Sequence, residues 1–388
     1  MTELFRITIC SVAAATALLA SHVSILAQDA TSQRPVHSED ASSPNLTDPV
    51  AYEVDFSAVI TPPYHTKVLK VWLPIPQPDS IQQISGSELT TFPEQVVPQV
   101  ATEPVYGNKF AYFEFHEPLG AQIIRHRFTA TVQNAHWNLD AAVVDLPDKW
   151  PRELAGYLAP DPIAEAAGFQ EVIRSIARDP RDRTRGLFAA MNWVDENLVY
   201  DHIDASLQAD AAHAFTKRRG HCSDYHGLCA TMGRALGYPT RVTYGISLFP
   251  KNSPSHCKLE AFLPPYGWVS FDVSETQRMV AAIQASQLLD GAAKDRLSAA
   301  ARQRLMSGFR ENSWLLVTKG TEYELAPKAN RPVRVVRTIY AEADGEALPD
   351  PDPANKDKRE FGWMTVHAYK ADKPVSQPFK DLSTLTSE

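Results

Sequence analysis

The sequence predicts an α+β protein: a β-sandwich-like region first, then helices packed on an antiparallel sheet, then an extension of helix and strand. Three observations predict it. From about residue 50 to 140, apolar and polar residues alternate, with Pro and Gly at the breaks and no helical period. From 141 to 280, helical stripes come first and three strand patterns follow in close succession. From 281 to 388, an Ala-, Leu- and Arg-rich stretch gives way to further strand patterns.

In order along the chain, Tyr52, Val54, Phe56, Ala58 and Ile60 alternate with Glu53, Asp55 and Ser57, which is the pattern of a strand buried on one face. Val68 to Leu73 is the next strand, and Pro74-Ile75-Pro76 should end it because proline brings no ladder donor. Phe110 to Phe115 and Ile124 to Val132 repeat the period of two after a turn-rich segment. Helices are expected over Glu165 to Arg178 and Thr184 to Leu198, the second aligning Leu187, Phe188, Met191, Val194 and Leu198 on one face. A further helix opens at Gly220-His221-Cys222, carries Leu228, Met232, Ala235 and Leu236, and stops at Gly237-Tyr238-Pro239. Strands then run from Thr240 to Leu248, His256 to Leu263 and Trp268 to Val273. Val280 to Phe309 reads as helical at least in part, Arg334 to Tyr340 and Met364 to Tyr369 as strands, and Glu342 to Lys358 as a solvated acidic loop.

Composition narrows the function. A chain of 388 residues that is 44% hydrophobic and 22% charged can bury real cores. A net charge of −8 without long basic runs, Lys217-Arg218-Arg219 being the local exception, gives no phosphate footprint, so nucleic acid is not an expected partner. There is no glycine-rich phosphate loop or dinucleotide fingerprint, and no cofactor is expected. Arg6, the apolar run Ile7 to Ala20 and the small residues Ser24 to Ala27 read as an export signal over 1–27, followed by a flexible lead-in over 28–49. His22 and Ser24 cut the run short of a membrane span, so the mature chain should be periplasmic or secreted without stable membrane insertion. Loss of Cys10 with the signal leaves Cys222, Cys229 and Cys257, an odd number, so at least one thiol is unpaired within the chain.

Cys222 sits where a helix begins. Unpaired backbone N–H groups and the helix dipole favour a thiolate there and can also hold a developing oxyanion. The polar neighbours His221, Ser223, Asp224 and Tyr225 argue against an inert core cysteine. In the strand after it, Cys257, Leu259, Ala261 and Leu263 share the apolar face, which turns His256, Lys258 and Glu260 the other way. Val269, Phe271 and Val273 likewise leave Trp268, Ser270 and Asp272 opposite. If the turn at Pro264-Pro265-Tyr266-Gly267 makes these strands neighbours, His256 and Asp272 face the helix start together. Zinc is a weak alternative, because His221, Cys222, His226, Cys229, His256 and Cys257 are mostly off ligand spacing. Cys257 adjoins His256, so a disulfide to Cys222 that would silence the site is a further alternative.

Gly220 to Leu228, Arg234 to Arg241, His256 to Pro264 and Tyr266 to Ser274 together resemble the bacterial transglutaminase-like domain family of papain-like cysteine enzymes. The resemblance is good over about 180 to 275 and extends to the helix ending Asn197-Leu198-Val199-Tyr200; the flanks resemble those of exported members. It implies Cys222 as nucleophile, His256 as base and proton donor, and Asp272 as the group that orients the imidazole. Its chemistry is thiol-mediated acyl transfer on a protein or peptide substrate, including cell-envelope peptides, resolved by water or by an amine. One departure stands out: where the family carries an aromatic residue just after the histidine, this chain has Cys257 and then Lys258. On the expected phase Lys258 would charge the cleft, and that favours the rival reading, a non-catalytic binding module. Tyr200, His202 and Trp268 are the remaining candidates for cleft or oxyanion residues.

Overall fold

Strand alternation builds the first layer. In the computed structural model, which describes residues 43–177, 184–250, 254–351 and 361–385, β1 (Asn45–Thr61) buries Val50, Tyr52, Val54, Phe56, Ala58 and Ile60. β1 begins inside the expected flexible lead-in, because Asn45 to Thr47 pair with His136 to Asn134 before an irregularity at Thr47/Val50. The expected export signal and residues 28–42 of the lead-in lie outside the described residues. β2 (Val68–Ile75) runs through Pro74, and β3 (Gln82–Phe92) and β4 (Gln99–Thr102) occupy the segment expected to be turns. Both carry mostly exposed, polar residues, so no apolar alternation marked them. β5 (Lys109–His116) and β6 (Gln122–His136) follow.

The helical layer begins with α1 (Ala167–Ile176) and α2 (Arg185–Asn197). The short β7 (Val199–Tyr200) then pairs in parallel with β8 (Arg219–Gly220) across the intervening α3 (Ala211–Lys217). α4 (Cys222–Ala235) is next, then β9 (Thr240–Ser247), β10 (Ser255–Leu263) and β11 (Gly267–Phe271). The strand expected to reach Val273 stops at Phe271, because Asp272 caps α5 (Val273–Ala285). α6 (Gly291–Ser307) completes the helical region.

The remaining strands are β12 (Phe309–Arg310), β13 (Trp314–Lys319), β14 (Tyr340–Ala343), β15 (Glu346–Ala347) and β16 (Gly362–Ala371). The expected strand from Arg334 to Ile339 is not one. Its backbone is satisfied by side chains instead: Val336 N–H donates to the Tyr323 hydroxyl at 2.8 Å, and Thr318 donates to the Val336 carbonyl at 3.1 Å. Within the expected acidic loop, Glu342 is fully buried and accepts from Asn330 N–H at 2.9 Å and the Tyr340 hydroxyl at 3.0 Å.

These strands make three sheets of note. One is ordered β12-β6-β1-β16, with β3 also on β6; the second is β15-β14-β2-β5-β4; the third is the antiparallel β11-β10-β9-β13. Val54, Phe56, Phe128 and Val132 of the first and Leu69, Val71, Phe113 and Phe115 of the second share a core, joined by Ile246 of β9 and Leu315 of β13. Each such side chain contributes roughly 1.5–3 kcal/mol through burial. A second core places Leu187, Met191 and Val194 of α2 and Leu228 and Met232 of α4 against Leu259, Ala261, Val269 and Phe271 of the third sheet. All described residues fall in one unit by contact. The fold is α+β, with helices packed on an antiparallel sheet and a strand-rich N-terminal region.

Candidate active site

α4 is built to hold its first residue. Gly220, at φ +154°, enters a region few L side chains adopt, and a Cβ there would lie 2.4 Å from Asp224 Oδ2. His221 is the N-cap: its Nδ1 accepts from Ser223 N–H at 3.1 Å, while Asp224 Oδ2 accepts from His221 N–H at 3.0 Å. Cys222 is therefore the first helical residue, at the end where helix N–H groups lack carbonyl partners. Gly227, one turn on, lets the helix approach Ala209, whose carbonyl oxygen would be 2.5 Å from an added Cβ.

The third sheet delivers the other two groups. β10 and β11 pair with Leu259 opposite Phe271, so Asp272 emerges just past the strand end, beside the β10 residues that precede Leu259. His256 Nε2 lies 2.6 Å from Asp272 Oδ2, which leaves Nδ1 for another partner, and the ring lines the same cavity as Cys222. Both His256 and Asp272 are buried. The strand phase placed the pair correctly, although Asp272 serves from a helix cap rather than from a strand.

The electrostatics suit an ion pair. Burial alone would push the His256 pKa down, but the charges of Asp272 and Cys222 override it and hold the imidazolium up to about 10. Cys222 is pulled well below the free-thiol range by a hydrogen bond from the Cys257 thiol, against the cost of burial and with help from His221 and His256. Asp272 is held well below the ordinary carboxylate value because Lys258 and His256 outweigh its desolvation. All three described cysteines are free thiols, and burial drives Cys229 and Cys257 above the ordinary thiol value.

Cys222 and His256 open onto a cavity of about 430 Å³. Tyr200 and His202 line it, as the sequence suggested, with the Arg278 guanidinium 4.8 Å from the Tyr200 ring centre. Two other candidates are elsewhere. Lys258 is fully buried behind Asp272, with Nζ 2.6 Å from Asp272 Oδ2 and 2.8 Å from Glu311 Oε2, so it does not charge the cleft. It does share the His256 face, but at that point the face is covered by Glu311 and by the Trp314 and Phe379 rings, 5.3 and 4.9 Å from Nζ. Trp268 pairs with Phe262, about 20 Å along β10 from His256 at strand rise, beneath the Arg241 guanidinium.

Several residues around the site carried no sequence signal. His226 is fully buried beside Asp272, 3.6 Å from its Oδ1; its Nε2 accepts from Val273 N–H at 3.1 Å, and desolvation lowers it to about 4. Gln377, Pro378, Phe379 and Lys380 form a wall of the cavity more than a hundred positions after the histidine. Their neighbourhood is a tertiary outcome, with Arg304 Nη2 donating to the Pro378 carbonyl at 2.7 Å. Among the described residues no group of three or more His, Cys, Asp or Glu side chains could hold a metal, and no helix is long and apolar enough to cross a membrane.

Comparison with known proteins found similarity over the helical region and its sheet. Residues 170–273 match the model of the transglutaminase-like superfamily. An uncharacterized protein of Haemophilus influenzae is 22% identical over 284 residues, covering 59% of this chain and 74% of that protein. A Cytophaga hutchinsonii crystal structure, described as a candidate cysteine protease, superposes with a TM-score of 0.56 at 14% identity, over 87% of this chain and 96% of that one. The periplasmic domain of TgpA from Pseudomonas aeruginosa is 19% identical, with a TM-score of 0.31, over 64% of this chain and 77% of that one. The matched residues run from within α1 to the start of α5 and include Cys222, His256 and Asp272, so this part of the chain is similar to the transglutaminase-like superfamily.

Proposed function

We propose that the chain is an exported thiol enzyme that transfers the acyl group of a peptide or carboxamide, in the first instance to water. The observation that carries this is the meeting of His256, held 2.6 Å from Asp272, and Cys222, at a helix N-terminus, on the wall of one cavity.

The steps follow from the atoms present. The Cys222 thiolate attacks the carbonyl carbon, and the first-turn N–H of α4 faces the oxygen as it gains charge. His256 gives its proton to the departing nitrogen as the C–N bond breaks, leaving a thioester on Cys222 and a neutral imidazole. Water then loses a proton to His256 and adds to the thioester carbon; collapse releases the acid and restores the thiolate–imidazolium pair. Asp272 keeps Nδ1 directed at the sulfur throughout. An amine in place of water would give a crosslink by the same route. The burial of Lys258 against Asp272 and Glu311 takes it out of the cleft and with it the residue-level reason for preferring a binding module.

The test is product analysis by mass spectrometry. Full-length mature protein is incubated with a broad peptide library that includes cell-envelope peptides, with Cys222→Ala as control. Hydrolysed products that depend on Cys222 support the reading; amine-linked products would move it to crosslinking, and neither kind across the library would sink it. N-terminal sequencing of the exported protein checks the compartment, with cleavage expected near Gln28.

A further inference from the structure

We propose that Lys258 is a positioning residue for the reacting set, an internal cation that fixes Asp272 beneath His256 and sets the pH window in which the Cys222–His256 pair exists. This rests on the reading of Cys222, His256 and Asp272 given above.

A lysine in a protein interior is costly unless its charge is matched on the spot. Here Nζ sits between two carboxylates, Asp272 Oδ2 at 2.6 Å and Glu311 Oε2 at 2.8 Å, with no exposed surface of its own. Asp272 is fully committed in turn. Oδ2 faces both His256 Nε2 and Lys258 Nζ, and Oδ1 accepts from Glu275 N–H at 3.0 Å and the Ser274 hydroxyl at 3.2 Å. A carboxylate gripped at both oxygens cannot rotate away from the imidazole, and an ammonium against one of them keeps it ionised. Among the described residues, the charged and titratable groups that face the ammonium are Asp272 at the start of α5, Glu311 after β12, His256 on its own strand and His226 on α4, with the rings of Trp314 and Phe379 also against it. Glu311 also lines the cavity, so the row Glu311, Lys258, Asp272, His256 runs from the cleft wall back to the reacting sulfur.

The row has an electrostatic signature that packing alone lacks. Taking away the ammonium leaves two buried carboxylates sharing the space and removes a positive charge that favours the thiolate. The acid limb of Cys222 reactivity should then move to higher pH. Taking away the Glu311 charge removes an anion instead, and the limb should move to lower pH. The two shifts are opposite in sign, and they should largely cancel when combined.

The experiment follows iodoacetamide alkylation of Cys222 against pH in the full chain, read by peptide mapping so that Cys229 and Cys257 are scored separately. Lys258→Met is expected to raise the acid limb by about one pH unit or more, Glu311→Gln to lower it, and the double variant to return near wild type. Lys258→Arg, which keeps the charge, should restore most of the wild-type profile. A folded Lys258→Met whose profile superposes on wild type overturns the proposal. Should Lys258→Met fail to fold by circular dichroism, Glu311→Gln decides: an unchanged or upward limb overturns it. Failure of the underlying reading looks different, since Cys222 would then react no faster than a free thiol in the wild type and be indifferent to His256→Ala.

Discussion

At the scale of single residues, the site is a buried thiol and imidazole whose proton affinities have been driven apart. Cys222 is held well below the thiol range and His256 at about 10, so thiolate and imidazolium coexist up to about pH 10. Raising the pH through about 10 strips the imidazolium of the proton owed to the leaving nitrogen but leaves the thiolate intact. Peptide turnover should therefore fall near pH 10 while alkylation of Cys222 persists; parallel profiles of the two rates check it, and a joint decline would count against the assignment. Asp272→Ala should lower turnover by about two to four orders of magnitude, because the ring loses both its orienter and the charge that supports its proton. His256 and Asp272 were legible as residues: each lies opposite an apolar face, and the two phases agree. The same phase was misleading for Lys258 and Trp268. A strand face is continuous, but what covers it changes along its length, and the covering residues Glu311, Phe379, Tyr157 and Arg241 come from other parts of the chain.

At the scale of elements, α4 is the organising piece, and its register depends on two close contacts. Gly227→Ala would place a Cβ 2.5 Å from the Ala209 carbonyl oxygen, and overpacking of this kind costs about 1–3 kcal/mol. A lower midpoint in urea unfolding with an unchanged slope is the expected reading. Asp224→Ala removes the acceptor for His221 N–H and for Ser206 N–H at 3.2 Å, a cap loss worth about 1–2 kcal/mol. Because the cap fixes where Cys222 emerges, alkylation should slow more than the stability change alone would cause. The start of this helix was readable from Gly220-His221-Cys222, as its end was from Gly237-Tyr238-Pro239. β3 and β4 were not readable, since strands held by backbone pairing at an exposed edge need no apolar alternation.

At the scale of the whole molecule, the C-terminal region closes both layers. β16 extends the first sheet on β1, and Gln377 to Lys380 wall the reactive cavity. Arg304 ties that wall down through the Pro378 carbonyl and the Thr384 hydroxyl, the latter at 3.2 Å. Arg304→Met should cost about 1–3 kcal/mol and raise amide exchange selectively over residues 377–385, which hydrogen-exchange mass spectrometry would resolve. Uniform exchange across the chain would show that the tie is not local.

By itself the sequence determined what short-range periodicity and local chemistry can determine: the α+β class, a cysteine at a helix start, and a histidine and an aspartate whose strand phases point one way. Those depend on residues near one another along the chain, where spacing of two or about four positions is enough. Only the tertiary structure decided which surfaces cover which. It turned Lys258 from a cleft cation into a buried partner of Asp272 and Glu311, put His226 beside Asp272, and brought Phe379 against the site, because these contacts join segments that no local pattern couples.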